Sequence, residues 1–273
     1  IENKRNKGYL YVGILINVLL LAYFKYFDFL IENVSHIFGP LPYIKIVLPI
    51  GISFYTFQQI AYLYDTYADR VSEHNFISYA FFIAFFPQLV AGPIVHHSQI
   101  LPQIRSIRNI LSTENVAIGL SVFTIGLAKK VLIADNLAKI VDPFYAQMGV
   151  GTPASTLEVF FVLFCYSFQI YFDFSAYSEM AVGLAKMFGI NLPENFKSPL
   201  RSTSIIDFWR RWHVTLSAFL RDYIYIPLGG NSGSMLRKGL NIVVVMVLGG
   251  PWHGAAWTFV VWGLLQGAYL FAN

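Results

Sequence analysis

His253 is a histidine set in apolar sequence, and it is the first residue of this chain that could do chemistry. It lies in Gly249-Gly250-Pro251-Trp252-His253-Gly254-Ala255-Ala256-Trp257, and Phe259, Val260, Val261, Trp262, Leu264 and Leu265 follow. An ionisable side chain at membrane depth is costly, so its retention marks a functional site by default. Its ordinary pKa lies near neutrality and burial favours the uncharged ring, which suits a general base that takes a proton from an attacking group. A plain hydrogen bond to a neighbouring helix is the alternative use.

A second histidine stands in the densest polar-aromatic run, Asp207-Phe208-Trp209-Arg210-Arg211-Trp212-His213-Val214-Thr215-Leu216-Ser217, which continues through Phe219, Leu220, Arg221, Asp222 and Tyr223. Read as one amphipathic helix from Ile205 to Leu228, it places Trp209, Trp212, Leu216 and Phe219 or Leu220 on one apolar face. His213 and Ser217, four apart, then share an adjoining polar edge. Two uses fit this pattern. It is either an interfacial helix anchored by Trp and Arg, or the wall of a reaction chamber whose Arg210, Arg211 and Arg221 attract an anionic donor.

Asp173 lies within Gln169-Ile170-Tyr171-Phe172-Asp173-Phe174-Ser175-Ala176-Tyr177-Ser178-Glu179, inside the strongest hydrophobic run. Tyr171, Ser175 and Ser178 share its helical surface, so the stripe is expected to face protein or water rather than lipid. A structural hydrogen-bond network, or an Asp that orients a histidine or binds an Arg, explains it equally well. His96 and His97 are adjacent, point to different sides of a helix, and read as loop or interface residues. His36 and His74 have less context still. No cluster has metal-ligand spacing, so no metal is expected. No Gly-x-Ser-x-Gly elbow, phosphate loop or dinucleotide fingerprint is present, and Ile226-Pro227-Leu228-Gly229-Gly230-Asn231-Ser232-Gly233 reads as a turn.

The elements that must position these residues are membrane helices. The chain is 56% hydrophobic and 12% charged, with a mean hydropathy of +0.55, whereas soluble domains carry about 25% charged residues. Several runs approach the roughly 20 residues that cross a bilayer as helix. The expected fold is therefore all-α: a polytopic transmembrane bundle with broken or re-entrant helices around a buried polar chamber.

The spans read as follows. The first runs from about Gly8 to Val34, with Lys25 and Asp28 near the far interface or facing other helices. The second runs from about Tyr43 to Tyr64 and is kinked or broken at Pro49 and Gly51. The third, Phe76 to Val95, holds Pro87, Gly92 and Pro93 and reads as re-entrant, consistent with Arg70 before it and Arg105 and Arg108 after it. The run from Val116 to Val141 is cut by Lys129-Lys130 and its topology stays open. Asp142 to Ser155 has no Lys or Arg, which favours the extracytoplasmic side. Leu157 to Phe188 is a strong span, an apolar run follows from Leu240 to Leu248, and the terminal run carries His253. Cys165, the only cysteine, is expected to pack in the core. With no repeat or second domain, residues 1–273 read as a single domain, a fragment lacking terminal membrane segments.

Taken together these runs resemble the membrane-bound O-acyltransferase family, and within it the branch that acetylates polysaccharides such as alginate. The resemblance rests on Pro49-Ile50-Gly51-Ile52-Ser53-Phe54-Tyr55-Thr56-Phe57-Gln58, on Phe86-Pro87-Gln88-Leu89-Val90-Ala91-Gly92-Pro93-Ile94, on Asp173-Phe174-Ser175-Ala176-Tyr177-Ser178, on Asp207 to His213, on Tyr225 to Asn231, and on Trp252-His253-Gly254. They occur in the family's order and cover most of the chain.

The resemblance implies that His253 is the family's essential buried histidine and His213 its second signature polar residue, where relatives often carry Asn or His. It implies acyl transfer from a cytoplasmic thioester, acetyl-coenzyme A, to hydroxyls of an extracytoplasmic polysaccharide, with no bound cofactor. His253 would act as base, while His213 positions a group or stabilises the oxyanion. Asp173, Ser175, Tyr177, Trp209, Arg210, Arg211, Trp212, Arg221 and Trp252 are the weaker candidates for chamber polarity and for donor or substrate binding. The implied partners are extracytoplasmic acetyltransferase or polysaccharide-assembly proteins and membrane lipid, not nucleic acid, and the implied location is a bacterial inner membrane. A proton- or substrate-coupled transporter built on the same broken helices, and a non-catalytic scaffold, are the alternatives.

Overall fold

The computed structural model describes residues 6–41, 46–71, 75–90, 92–106 and 112–273. His74 and Arg108 lie outside them. Its elements in chain order are α1 (Lys7–Phe38), α2 (Ile52–Tyr67), α3 (Phe76–Ala84), α4 (Phe86–Leu89), α5 (His97–Ser106), α6 (Thr113–Gly149), α7 (Thr156–Met187), α8 (Ile205–Arg211), α9 (Val214–Leu220), α10 (Met235–His253) and α11 (Trp257–Ala272). The described residues contain no strand, as the apolar runs predict. Of these helices α1, α6 and α7 are long and apolar enough to cross a membrane. The protein is an all-α membrane bundle.

Broken helices occur where the sequence places its breakers. α2 begins only after Pro49, at Gly51, whose φ of 74° is a left-handed value that glycine adopts without strain. The third predicted span divides into α3 and α4 at extended Phe85, just ahead of Pro87. By contrast, Lys129-Lys130 does not end a helix: α6 runs through them by a single π turn over Lys130–Ala134. α7 starts on a reciprocal cap, in which Ser155 accepts from the Glu158 N–H and the Glu158 carboxylate accepts from Ser155.

Two compact units emerge. One comprises Ile1–Phe85, Ile94–Leu101 and Phe196–Asn273, and the other Phe86–Pro93 and Pro102–Asn195. In the second, α6 and α7 pack through glycines. A Cβ on Gly183 would stand 2.6 Å from the Gly119 carbonyl oxygen and 2.6 Å from the Phe123 nitrogen, and one on Gly126 2.7 Å from the Ala176 carbonyl oxygen. Small residues of this kind let membrane helices approach backbone to backbone. Cys165 is buried beside Val141 and Val162, as expected of a core residue. Gly183→Ala should therefore force the pair apart and cost about 1–3 kcal/mol. Thermal unfolding in detergent checks this against Gly149→Ala, where nothing lies within 4 Å of the added carbon and no loss is expected.

In the first unit α10 and α11 form a comparable close pair. A Cβ on Gly263 would meet the Met246 carbonyl oxygen at 2.5 Å, and one on Gly250 the Phe259 carbonyl oxygen at 2.2 Å. The apolar core beside this pair consists of Ala61, Ile94, Leu216, Phe219, Leu220, Val245 and Trp252, with Phe54 and Phe57 of α2 against it.

Candidate active site

His253 is the last residue of α10. Pro251 stands inside that final turn and Gly254 follows in extended conformation, so the chain turns sharply away from the helix at the imidazole. A Cβ on Gly254 would fall 2.2 Å from the Phe259 ring, which is why this step needs glycine. Aromatic rings frame the imidazole: Trp252 at 5.1 Å and Trp262 at 5.2 Å edge-on, and Phe259 stacked at 6.2 Å between centroids. The predicted buried state is corrected here, because His253 is exposed within this chain. Its place at a helix end, rather than mid-helix, leaves one side of the ring uncovered.

His213 is the buried member, with 0% of its surface exposed. Its ring lies 5.7 Å from Trp252 and stacks on Phe196 at 6.4 Å. The single amphipathic helix expected from Ile205 to Leu228 is also corrected. α8 ends at Arg211, Trp212 is extended, and His213 itself takes left-handed φ 43° and ψ 53° before α9 begins. Strain of this kind in a residue other than glycine gathers at functional sites. The break takes His213 off the polar edge it would have shared with Ser217 and turns it inward. Both imidazoles thus contact the ring of Trp252.

A clamp from α1 holds the backbone before His253. Residues Ala22–Tyr26 form a π turn, and the two residues at its end reach the last turn of α10. Tyr26 Oη donates to the Pro251 carbonyl oxygen at 2.8 Å. Lys25 Nζ donates to the Trp252 carbonyl oxygen and, at 3.0 Å, to Ser53 Oγ, and lies 5.8 Å over the Trp252 ring. Terminal carbonyls of a helix lack intrahelical donors and attract cations, so Lys25 and Tyr26 meet a need that α10 creates. Sequence patterning leaves Lys25 either near the far interface or against another helix, and gives no sign of which helix.

The remaining predicted residues scatter. Trp209 joins the ring cluster, 5.9 Å from Trp262, and its indole N–H donates to Gln266 at 3.2 Å. Trp212 turns instead to Phe196 and Phe208. Arg211 is bound to Asp207 at 2.9 Å and Arg221 to its neighbour Asp222 at 2.7 Å, while Arg210 is exposed. In the second unit Ser175 is buried and Tyr177 partly so. Asp173, expected to face protein or water, keeps half of its side-chain surface exposed and pairs with Lys130 at 2.6 Å. The cation that receives it comes from the π turn of α6. Lys129 pairs with Glu179 in the same way, so the two lysines that interrupt the apolar run are partners of Asp173 and Glu179, the two acids in the body of α7 beyond its capping Glu158.

Another polar cluster went unread in the sequence. Asp65, at the end of α2, accepts from Tyr223 Oη at 2.6 Å and pairs with Arg70 at 3.3 Å, and His97 Nδ1 lies 3.8 Å from it. Burial, then the bond to Asp65, pushes the Tyr223 phenol up, so it stays protonated and donates. Its oxygen then accepts from His96 Nδ1, at 2.9 Å, which fixes that tautomer. His97 was read as a loop or interface residue, yet it is 4% exposed. Burial pulls its pKa down, opposed by Asp65, lowered further by His96 and raised by the Arg70 backbone. A histidine whose folded pKa lies below its unfolded value stabilises the fold above about pH 6.5 and loses that contribution as the pH falls through it. Melting temperatures at pH 7.5 and 5.5 should accordingly drop less for His97→Gln than for wild type.

The profile of the MBOAT, membrane-bound O-acyltransferase family, matches residues 17–273. The chain belongs to that family. It is 45% identical over 295 residues to a peptidoglycan O-acetyltransferase of Helicobacter pylori, covering 98% of this chain and 55% of the relative. To a probable alginate O-acetylase AlgI of Pseudomonas aeruginosa it is 41% identical over 276 residues, 99% of this chain and 52% of the relative. A teichoic acid D-alanyltransferase of Bacillus subtilis is more distant, 28% identical over 279 residues, 96% of this chain and 67% of the relative. The chain spans about half the length of the first two.

Proposed function

We propose that this chain carries the reaction centre of a membrane O-acyltransferase that moves an acetyl group from a thioester to a hydroxyl of an extracytoplasmic polysaccharide. The observation that carries the reading is the pair His213 and His253, both in contact with Trp252 where α10 ends. Membership of an acyltransferase family, and relatives named for O-acetylation at 41–45% identity, support transfer over transport. His253 takes the proton of the attacking hydroxyl, whose oxygen bonds to the thioester carbonyl carbon. The C–S bond then breaks, and the departing thiolate recovers the proton from the imidazolium. His213, buried and held in a strained backbone, positions a group or stabilises the oxyanion. Acetyl-coenzyme A is the proposed donor. By the same reading the acceptor lies outside an inner membrane, and partner proteins there complete delivery of the acetyl group.

Transfer of labelled acetyl from acetyl-coenzyme A, measured in membranes holding the full-length protein and its partners, tests this. Label reaching polysaccharide or a partner is the expected result. Its absence with correctly inserted protein would overturn the donor, and its presence with His253 removed would overturn the base.

A further inference from the structure

Gln58 is an α2 residue with 1% of its surface exposed, and neither its side-chain Nε2 nor its Oε1 has a hydrogen-bond partner among the described residues. Burying a carboxamide without partners is unfavourable, and native chains avoid it unless something else supplies the bonds. Its position narrows what that is. On a helix Gln58 shares a stripe with Phe54, four residues before it, and with Ala61, three after it. Phe54 meets the Trp252 ring at 5.2 Å, Phe57 stacks on it at 5.6 Å, and Ala61 belongs to the same core cluster. The stripe therefore faces the aromatic residue that touches both His213 and His253. The indole N–H of Trp252 is itself buried and without a partner among the described residues. The Gln58 carboxamide, with two N–H donors and one acceptor oxygen, and the Trp252 indole N–H thus go unused among the described residues, on an α2 stripe turned to the ring that meets both histidines.

Resting on the acyl-transfer reading above, we propose that Gln58 is a substrate-binding residue that recognises the arm of the acyl donor. A carboxamide uses both of its halves only against a ligand that both accepts and donates. An acyl group and its thioester accept but do not donate. The secondary amides of a pantetheine-type arm do both, and they travel beside the thioester that His253 must meet. The Trp252 indole N–H supplies a further donor for a carbonyl of the same arm. An apolar residue of the same length would keep the fold and lose the recognition.

The test is Gln58→Met in the full-length protein, assayed for acetyl transfer from acetyl-coenzyme A, with free pantetheine as competitor and His253→Ala alongside. KM for the donor and Ki for pantetheine should each rise about 5- to 10-fold, the worth of one neutral hydrogen bond. kcat should stay within about twofold, and the melting temperature should hold or rise because a buried unpaired group is gone. Wild-type KM and Ki in the variant would overturn the inference, leaving the reaction reading intact, as would a Ki unchanged beside a raised KM. A fall in melting temperature with kcat and KM lost together would assign Gln58 to structure and overturn it too. Transfer that does not depend on His253 would bring down the reaction reading and this inference with it.

Discussion

Replacing His253 with alanine is expected to lower acetyl transfer by about 10²- to 10⁴-fold, the range that a positioned general base supplies. The imidazole is exposed and framed by Trp252, Phe259 and Trp262, so its removal deletes the proposed proton acceptor while the rings that shape its surroundings remain. As the terminal residue of α10 it supports no later turn, so membrane insertion and melting temperature should stay near wild type. The loss should fall on kcat rather than on KM for the donor, as for an interaction made in the transition state. His213→Asn serves as comparison, since Asn tolerates the left-handed backbone found there. Its loss should be smaller than that of His253→Ala. Equal transfer by wild type and His253→Ala would remove the imidazole from the mechanism.

Lys25→Met is expected to be the next most damaging change, although Lys25 lies 227 residues from the carbonyl it binds. A hydrogen bond from a charged donor is worth about 1.5–3 kcal/mol, and here it fixes the carbonyl of Trp252, immediately before His253. If that turn relaxes, the imidazole shifts, and misplacement by about 1 Å can cost on the order of 10²-fold in rate. We expect transfer to fall by about 10- to 100-fold, with donor KM changing less than kcat. Tyr26→Phe, which removes one neutral bond to Pro251, should cost less. Lys25→Arg should recover part of the loss, because a cation on the carbonyl is restored. A side chain acting only in packing would give the reverse order, with Met tolerated better than Arg.

Much of the fold can be read in the sequence because hydrophobicity and breakers act locally. The long α1 and α7, the start of α2 beyond Pro49 and Gly51, and the division of Phe76–Val95 follow from composition and from φ/ψ limits. Other features depend on what lies far along the chain. Lys129 and Lys130 look like an interruption until Glu179 and Asp173 are seen opposite them. Asp65 ends an unremarkable helix, and only the fold brings Tyr223 and His97 to it. The candidate site divides in the same way. His253, His213 and Trp252 can be singled out as costly or unusual residue types. Lys25 stands out as a charge in an apolar span and Gln58 as the end of the Pro49–Gln58 run, but neither shows locally that it packs toward Trp252, and helical periodicity could not reveal that His213 breaks its helix, because the apolar spacing of Trp209, Trp212 and Leu216 continues through the break.

The three π turns among the described residues, at Ala22–Tyr26, Lys130–Ala134 and Arg221–Tyr225, hold the residues that make many of these long-range contacts: Lys25 and Tyr26, Lys130, and Tyr223. A π turn is one residue inserted into an α-helix, which advances everything beyond it by about 100° around the axis. Hydropathy scarcely registers that residue. Deleting Phe24 would leave a helix just as apolar and just as ready to enter a bilayer, yet it would turn the segment on one side of the cut relative to the other. Along these segments the chain is therefore forgiving in composition and exacting in count: many single exchanges of one apolar residue for another can pass, while the loss of one uncharged residue breaks a contact more than two hundred positions away.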